Sequence, residues 1–147
     1  MKVKDILKRK GNDVYTADPE DSVFDAIAKM ADLDIGVLVV MKNDRLVGII
    51  SERDYRNKVI LKGRASKTTT VKEIMVDQVF CVEPGEKVSR CMKIMSEKKI
   101  RHLPVLDGKK VAGMISIGDV VKSIIDNQKG EINSLKNYIA TGGSYPV

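Results

Sequence analysis

From Val23 to Leu33, apolar residues recur at steps of three and four (Val23, Ala26, Ile27, Met30, Leu33), which predicts an amphipathic helix entered just after Pro19. The period then changes. Ile35 to Met41 is a β-branched run broken only by Gly36, the polar turn Lys42-Asn43-Asp44 follows, and Leu46 to Ile50 is apolar again; together they predict a hairpin. A second helix is expected from Ser51. The same succession returns later, with Val88, Cys91, Met92 and Met95 as the helical stripe, a hairpin turning at Asp107-Gly108, and a helix after Ser116. Pro104 stands in the second strand run where the first has Val39, and its missing N–H predicts a sheet edge or a strand end with no ladder partner.

Shifting the chain by 65 positions lays Val14 to Ile60 on Val79 to Ile125 without a gap, with twelve identities in forty-seven positions. Composition alone would give about three. The pairs include Pro19 with Pro84, Met30 with Met95, Gly48 with Gly113, Ser51 with Ser116 and Asp54 with Asp119. Upstream, Val3 to Leu7 matches Val71 to Met75 at an offset of 68, so the first copy carries three extra residues near Arg9 to Asn12, expected as a loop insertion. A motif present twice argues for two similar halves on a pseudo-twofold axis rather than a solenoid. Each half reads as strand, helix, strand, strand, helix behind a short helix or arm, an α+β architecture. The expected divisions are 1–68, 69–127, and a C-terminal helix with a frayed tail over 128–147, where Ile132, Leu135, Tyr138 and Ile139 continue a helical stripe suited to dimerisation.

Composition narrows the picture further. The 147 residues are 43% hydrophobic and 31% charged, enough for a core without staples. No apolar run approaches the roughly 20 residues that cross a bilayer. The N-terminus lacks a secretory pattern, so a reducing cytoplasm is expected, with Cys81 and Cys91 as free thiols. The net charge of +6 suits a phosphate-bearing partner without choosing among nucleotide, nucleic acid and membrane surface.

Much catalytic chemistry has no residues to carry it. His102 is the single histidine, no nucleophile elbow or Walker loop is present, and Cys81 and Cys91 match Thr16 and Ala26 as small core residues, so no enzyme activity and no metal site are expected. What remains is Ser51-Glu52-Arg53-Asp54 and Ser116-Ile117-Gly118-Asp119, each where an apolar strand gives way to a helix. Serine followed three residues later by an acid is a variant of the capping box. The same residues also suit a nucleotide, because the carboxylate can accept from both ribose hydroxyls. The residues by themselves leave the two readings open.

The order proline, amphipathic helix, apolar strand, hairpin, Gly-x-x-Ser-x-x-Asp and helix, with Arg101-His102-Leu103-Pro104-Val105 in the second copy, resembles the CBS domain, here as a tandem pair or Bateman module. The first copy, with Ser51 to Tyr55 and Lys58, is similar to stand-alone bacterial and plant-organelle members. The resemblance covers about Val3 to Asn127; Val39 departs from it, in place of the usual strand proline. It implies two related clefts that hold AMP, ADP, ATP or adenosyl ligands such as NAD in a regulatory role. Carried over, Asp54 and Asp119 would hold ribose hydroxyls, with Ser51 and Ser116 near ribose or phosphate. Thr16, Ala17, Asp18, Ile35, Gly36 and Val37 of the first copy, and Cys81, Val82, Glu83, Ile100, Arg101 and His102 of the second, would frame adenine. Pro104 and Ile117 are further ligand-binding candidates. Arg53, Arg101 and His102 are the phosphate candidates. Gly36 matches Arg101, so the two clefts should be unequal.

The output of such a sensor would be a change in its own homodimer or in an unidentified regulated protein. Two other classes compete. A nucleotide-independent dimeric adaptor would use both Ser-x-x-Asp sequences as caps only. A nucleic-acid binder would use Lys8, Arg9, Lys10, Arg53, Arg56 and Lys58, but aromatic residues are only 4% and no recognition motif is apparent, so nucleic acid is not the expected partner.

Overall fold

The computed structural model describes residues 1–142. In chain order the elements are α1 (Val3–Lys10), β1 (Thr16–Ala17), α2 (Val23–Leu33), β2 (Val37–Lys42), β3 (Arg45–Ser51), α3 (Glu52–Lys58), a 3-10 turn (Ile60–Lys62), α4 (Val71–Ile74), α5 (Val88–Lys98), β4 (His102–Asp107), β5 (Lys110–Ser116) and α6 (Ile117–Gly142). Ser22 caps α2 by accepting from the Asp25 N–H, and the helix buries Val23, Ala26 and Met30. The equivalent α5 buries Val88, Cys91 and Met95. The apolar stripes therefore face inward as their spacing requires.

The hairpin β2–β3 turns at Asn43 and Asp44, both left-handed at φ 50 and 59, the conformation a two-residue turn needs to follow the strand twist. β1 joins its edge in parallel through Thr16 with Val39 and Ala17 with Val40. In the second half the hairpin β4–β5 keeps the same register, with only Gly108 left-handed in its turn, but the outer strand shrinks to a single bridge, Val82 with Val105. Pro104 is the cause. In the first half the Val39 N–H donates to Tyr15 O at 3.1 Å, and the matching bond, from residue 104 to Phe80 O, has no donor.

Two cores form, and each recruits the opening helix of the other copy. Val3, Ile6 and Leu7 of α1 pack with Val82, Val88, Cys91, Met95, Leu103 and Ile115. Val71 and Ile74 of α4 pack with Val23, Met30, Leu38, Val40 and Ile50. The backbone bonds that set this crossing obey the pseudo-twofold: the Val3 N–H donates to Glu86 O and Lys4 to Pro84 O, while Val71 donates to Asp21 O and Lys72 to Pro19 O. Gly48 and Gly113 permit it. A Cβ on Gly48 would lie 2.6 Å from Met75 Sδ, and one on Gly113 would lie 2.7 Å from Leu7 Cδ2.

One expectation needs correction. The three extra residues of the first copy are not a loop insertion but a further helical turn, since α1 has eight residues against four in α4. Lys8, Arg9 and Lys10 stabilise it as cations at the negative end of the helix dipole. The expected C-terminal helix is present as the continuation of α6, which runs unbroken out of the second copy with Ile132 and Leu135 exposed. The side chains of Tyr138 and Ile139, and the tail at 143–147, lie outside what is described.

Candidate functional site

At the end of β3, Ser51 turns the chain from strand to helix. Its Oγ accepts from the Asp54 N–H, and Asp54 Oδ2 accepts from both the Ser51 N–H and the Ser51 hydroxyl at 3.0 Å, a reciprocal capping box. Asp54 Oδ1 is paired with Lys58 Nζ at 3.0 Å, and the same ammonium donates to Ile74 O at 2.8 Å. Asp54 is thus a buried cap that still shows one edge to a cleft of about 980 Å³ between the two halves.

The cleft is partly apolar and strongly basic. Val37, Ile49, Val76 and Ile100 line it, with Phe80, whose ring lies 5.2 Å from Lys98 Nζ. Arg53, Arg56, Lys58, Lys98, Lys99 and Arg101 supply six cations against the carboxylates of Glu52 and Asp54. Arg53 also donates to Lys99 O at 3.3 Å, where the chain is left-handed at φ 55, so the rim from each copy touches the other.

Eight of the expected residues meet here: Gly36, Val37, Ser51, Arg53 and Asp54 from the first copy, and Ile100, Arg101 and His102 from the second. Residues 36–37 and 100–102, from matched positions of the two copies, therefore border the same cleft. Thr16 and Ala17 serve as the strand β1, and Asp18 closes a turn by accepting from the Glu20 N–H. Ile35 packs on the first core, Val82 belongs to the second, and Cys81 is half-buried beside Val79 O. Pro104 is buried in β4, where its carbonyl accepts from the Val82 N–H. None of these lines the cleft, and neither do Ser116, Ile117 or Asp119. The lining residues missed from sequence are Ile49, Glu52, Arg56, Asn57, Lys58, Val76, Gln78, Val79, Phe80, Lys98 and Lys99. Lys98-Lys99, adjoining Ile100, is the signal that could have been used; alone it looks like surface charge.

Asp119 has a different environment. Its Oδ2 accepts from the Ser116 N–H at 2.8 Å and from Lys10 Nζ at 2.8 Å, and Lys10 also donates to Met114 O at 2.9 Å. Burial, the largest influence, pushes this carboxyl up, but the bonds from Lys10 and Ser116 together outweigh it and leave it below the ordinary value. His102 is pushed down: burial is the main cause, Lys10 and Arg101 add to it, and Asp119 opposes. The net effect favours the neutral imidazole.

The sign of the His102 effect follows from linkage. Unfolded, the ring protonates near 6.5, and folded only at lower pH, so in that window the unfolded chain binds more protons. The chain is expected to lose stability as pH falls through 6.5, and His102→Asn to remove that component. Denaturant unfolding at pH 7 and pH 5 checks this, and an unchanged pH dependence in the variant contradicts it. Cys91 is buried and its thiol is held up at about 11 by that burial, while Cys81 is raised for the same reason; both are free, as expected. Among the described residues no helix is long and apolar enough to cross a membrane.

Comparison with known proteins agrees with the pseudo-twofold. A mitochondrial CBS domain-containing protein, CBSX3 of Arabidopsis thaliana, is 39% identical over 95% of this chain and 72% of its own. The structure of a CBS-domain protein from Burkholderia ambifaria superposes with a TM-score of 0.84 at 50% identity, covering 87% of this chain and 96% of that one. The CBS domain pair of protein MJ0100, solved with 5′-methylthioadenosine and S-adenosyl-L-methionine, gives 0.75 at 26% identity over 86% and 98%. The CBS domain model matches residues 3–60 and again 71–126, one match for each half of the pseudo-twofold, and the chain belongs to the CBS domain family as a tandem pair.

Proposed function

We propose that this CBS pair is a regulatory sensor that binds an adenine nucleotide in the cleft bordered by Asp54, with no catalytic role of its own. One observation carries the reading: a single cleft combines an apolar and aromatic wall, two carboxylates and six cations, the cations drawn from both copies. Adenine would lie against Val37, Ile100 and Phe80, where stacking on an aromatic face contributes about 1 to 3 kcal/mol. The ribose hydroxyls would donate to Asp54. Its Oδ1 is held by Lys58, whose side chain is 43% exposed and free to swing out to meet the phosphates. The neighbour solved with adenosyl ligands supports the class of ligand. The basic rim favours an anionic member, with ADP, ATP or NAD ahead of AMP and all four ahead of the cationic S-adenosylmethionine.

A ligand between two halves acts as a switch by binding one arrangement of them better than another. Because both copies contribute walls, occupancy is converted into the relative position of the halves, and from there into a homodimer or a regulated protein. Exposed Val121, Ile125, Ile132 and Leu135 along α6 support an output through that helix. The free thiols support a reducing compartment such as the cytoplasm; the plant relative is mitochondrial by name.

Thermal unfolding during titration with AMP, ATP, NAD and S-adenosylmethionine tests the reading. Ligand at 100 times its Kd adds about 2.7 kcal/mol. That raises Tm by roughly 5 to 10 °C for a chain of this size. No shift with any of them would leave the adaptor reading in its place.

A further inference from the structure

The capping carboxylates of the two copies are clipped by lysines of different origin. In the first copy Lys58, on the same helix as Asp54, joins that carboxylate to Ile74 O at the end of α4. At the matching position of the second copy stands Ser123, which is fully buried and uncharged. There the cation comes from α1, the counterpart of α4, as Lys10 joins Asp119 Oδ2 to Met114 O. Arg9, in the same added turn, donates to Ser123 Oγ at 3.0 Å and pairs with Asp126 Oδ2 at 3.2 Å. The turn that lengthens α1 thus rebuilds, from the opposite partner, the clip that the second copy lacks.

The two clips differ in how readily a ligand could displace them. Lys58 leaves by rotating its own side chain, and Asp54 lines an open cleft. Lys10 is carried by a helix anchored through buried Val3, Ile6 and Leu7, and it is joined there by Arg9. A ribose hydroxyl that replaced Lys10 would have to break its bonds to Asp119 and Met114 O on a helix that its own buried face holds in place. The second copy also places Arg101 where the first has Gly36, and Ile117 where the first has Glu52.

We infer that Lys10 is an internal occupant of the Asp119 carboxylate, an autoinhibitory contact that limits this chain to one nucleotide. The inference rests on the nucleotide reading for its probe, ATP, and its readout is the difference in stoichiometry between two chains. Calorimetric titration of the full chain with ATP is expected to give one site in the wild type and one additional site in Lys10→Met. Lys10→Arg, which keeps the cation, should stay at one, and Lys10→Met combined with Asp119→Ala should return to one. Two sites in the wild type, or no added site in a cooperatively melting Lys10→Met chain, would overturn it. Should Lys10→Met fail to fold, Asp54→Ala with Lys10 intact decides: no binding supports the lock, and a residual site removed by Asp119→Ala overturns it. No site in the wild type with one in Lys10→Met would defeat the Asp54 reading and leave the lock standing, whereas no site in either defeats both.

Discussion

Asp54→Ala is expected to abolish most of the nucleotide-induced rise in Tm and to weaken binding by roughly 10- to 150-fold, the equivalent of about 1.5 to 3 kcal/mol for hydrogen bonds to a charged group. The same substitution removes a helix cap and so costs about 0.5 to 2 kcal/mol without ligand. The two effects separate cleanly. Ser51→Ala loses the hydroxyl that accepts from the Asp54 N–H yet leaves the carboxylate in place, so it should lower Tm with and without nucleotide by a similar amount. Asp54→Asn keeps an oxygen for the cap but loses the charge that pairs with Lys58 and attracts two ribose hydroxyls, and it should bind poorly while melting nearly as the wild type does. Isothermal titration of the three variants, alongside melts without ligand, checks this. Equal nucleotide affinity in Asp54→Ala and the wild type would mean that the carboxylate is a cap and nothing more.

Gly48→Ala should destabilise the chain by about 3 kcal/mol and Gly113→Ala by about 1 kcal/mol, although the two glycines are equivalent in the repeat. The difference lies in what each new Cβ would meet. At Gly113 the obstacle is the end of the Leu7 side chain, at 2.7 Å, which can rotate away. At Gly48 it is Met75 Sδ at 2.6 Å together with Val76 O at 2.9 Å. The sulfur can move. The carbonyl cannot, because Val76 exchanges both backbone hydrogen bonds with Ile49 at 2.9 Å. Since Ile49 and Val76 also line the cleft, Gly48→Ala should reduce nucleotide affinity as well, and Gly113→Ala should not. Chemical denaturation of both variants measures the first contrast and titration the second. Equal losses of stability would show that the Val76 backbone yields as easily as a leucine side chain.

These contrasts show which features were legible in the chain. The helices α2 and α5 could be read because their apolar positions keep a local period, and the hairpins because short polar turns interrupt β-branched runs. The consequence of Pro104 was legible too, since a missing N–H removes a ladder bond in any context, and the outer strand of the second half did shrink to one bridge. The crossing of α1 and α4 onto opposite copies was not, because the match of Val3 to Leu7 with Val71 to Met75 says that the two are alike without saying what each touches. Nor was the pairing of Lys10 with Asp119, which spans 109 positions. Three extra residues next to Gly11 looked like a loop, and contacts with Ser123, Asp126 and Asp119 add to the helix dipole in keeping them helical. The candidate site was half legible for a related reason. Ser51 and Asp54 are marked by their spacing, but the repeat alone does not say that residues 36–37 and 100–102 border one cleft, where the pseudo-twofold axis brings them together.

A crystal structure of the protein with ATP tests the central claim most directly. The account predicts density between the copies, with both ribose hydroxyls within hydrogen-bond distance of Asp54, Lys58 withdrawn from Oδ1, and the phosphates among Arg53, Arg56 and Lys98. A saturated crystal with that cleft empty, or with ATP bound elsewhere and the Asp54–Lys58 pair intact, would contradict it.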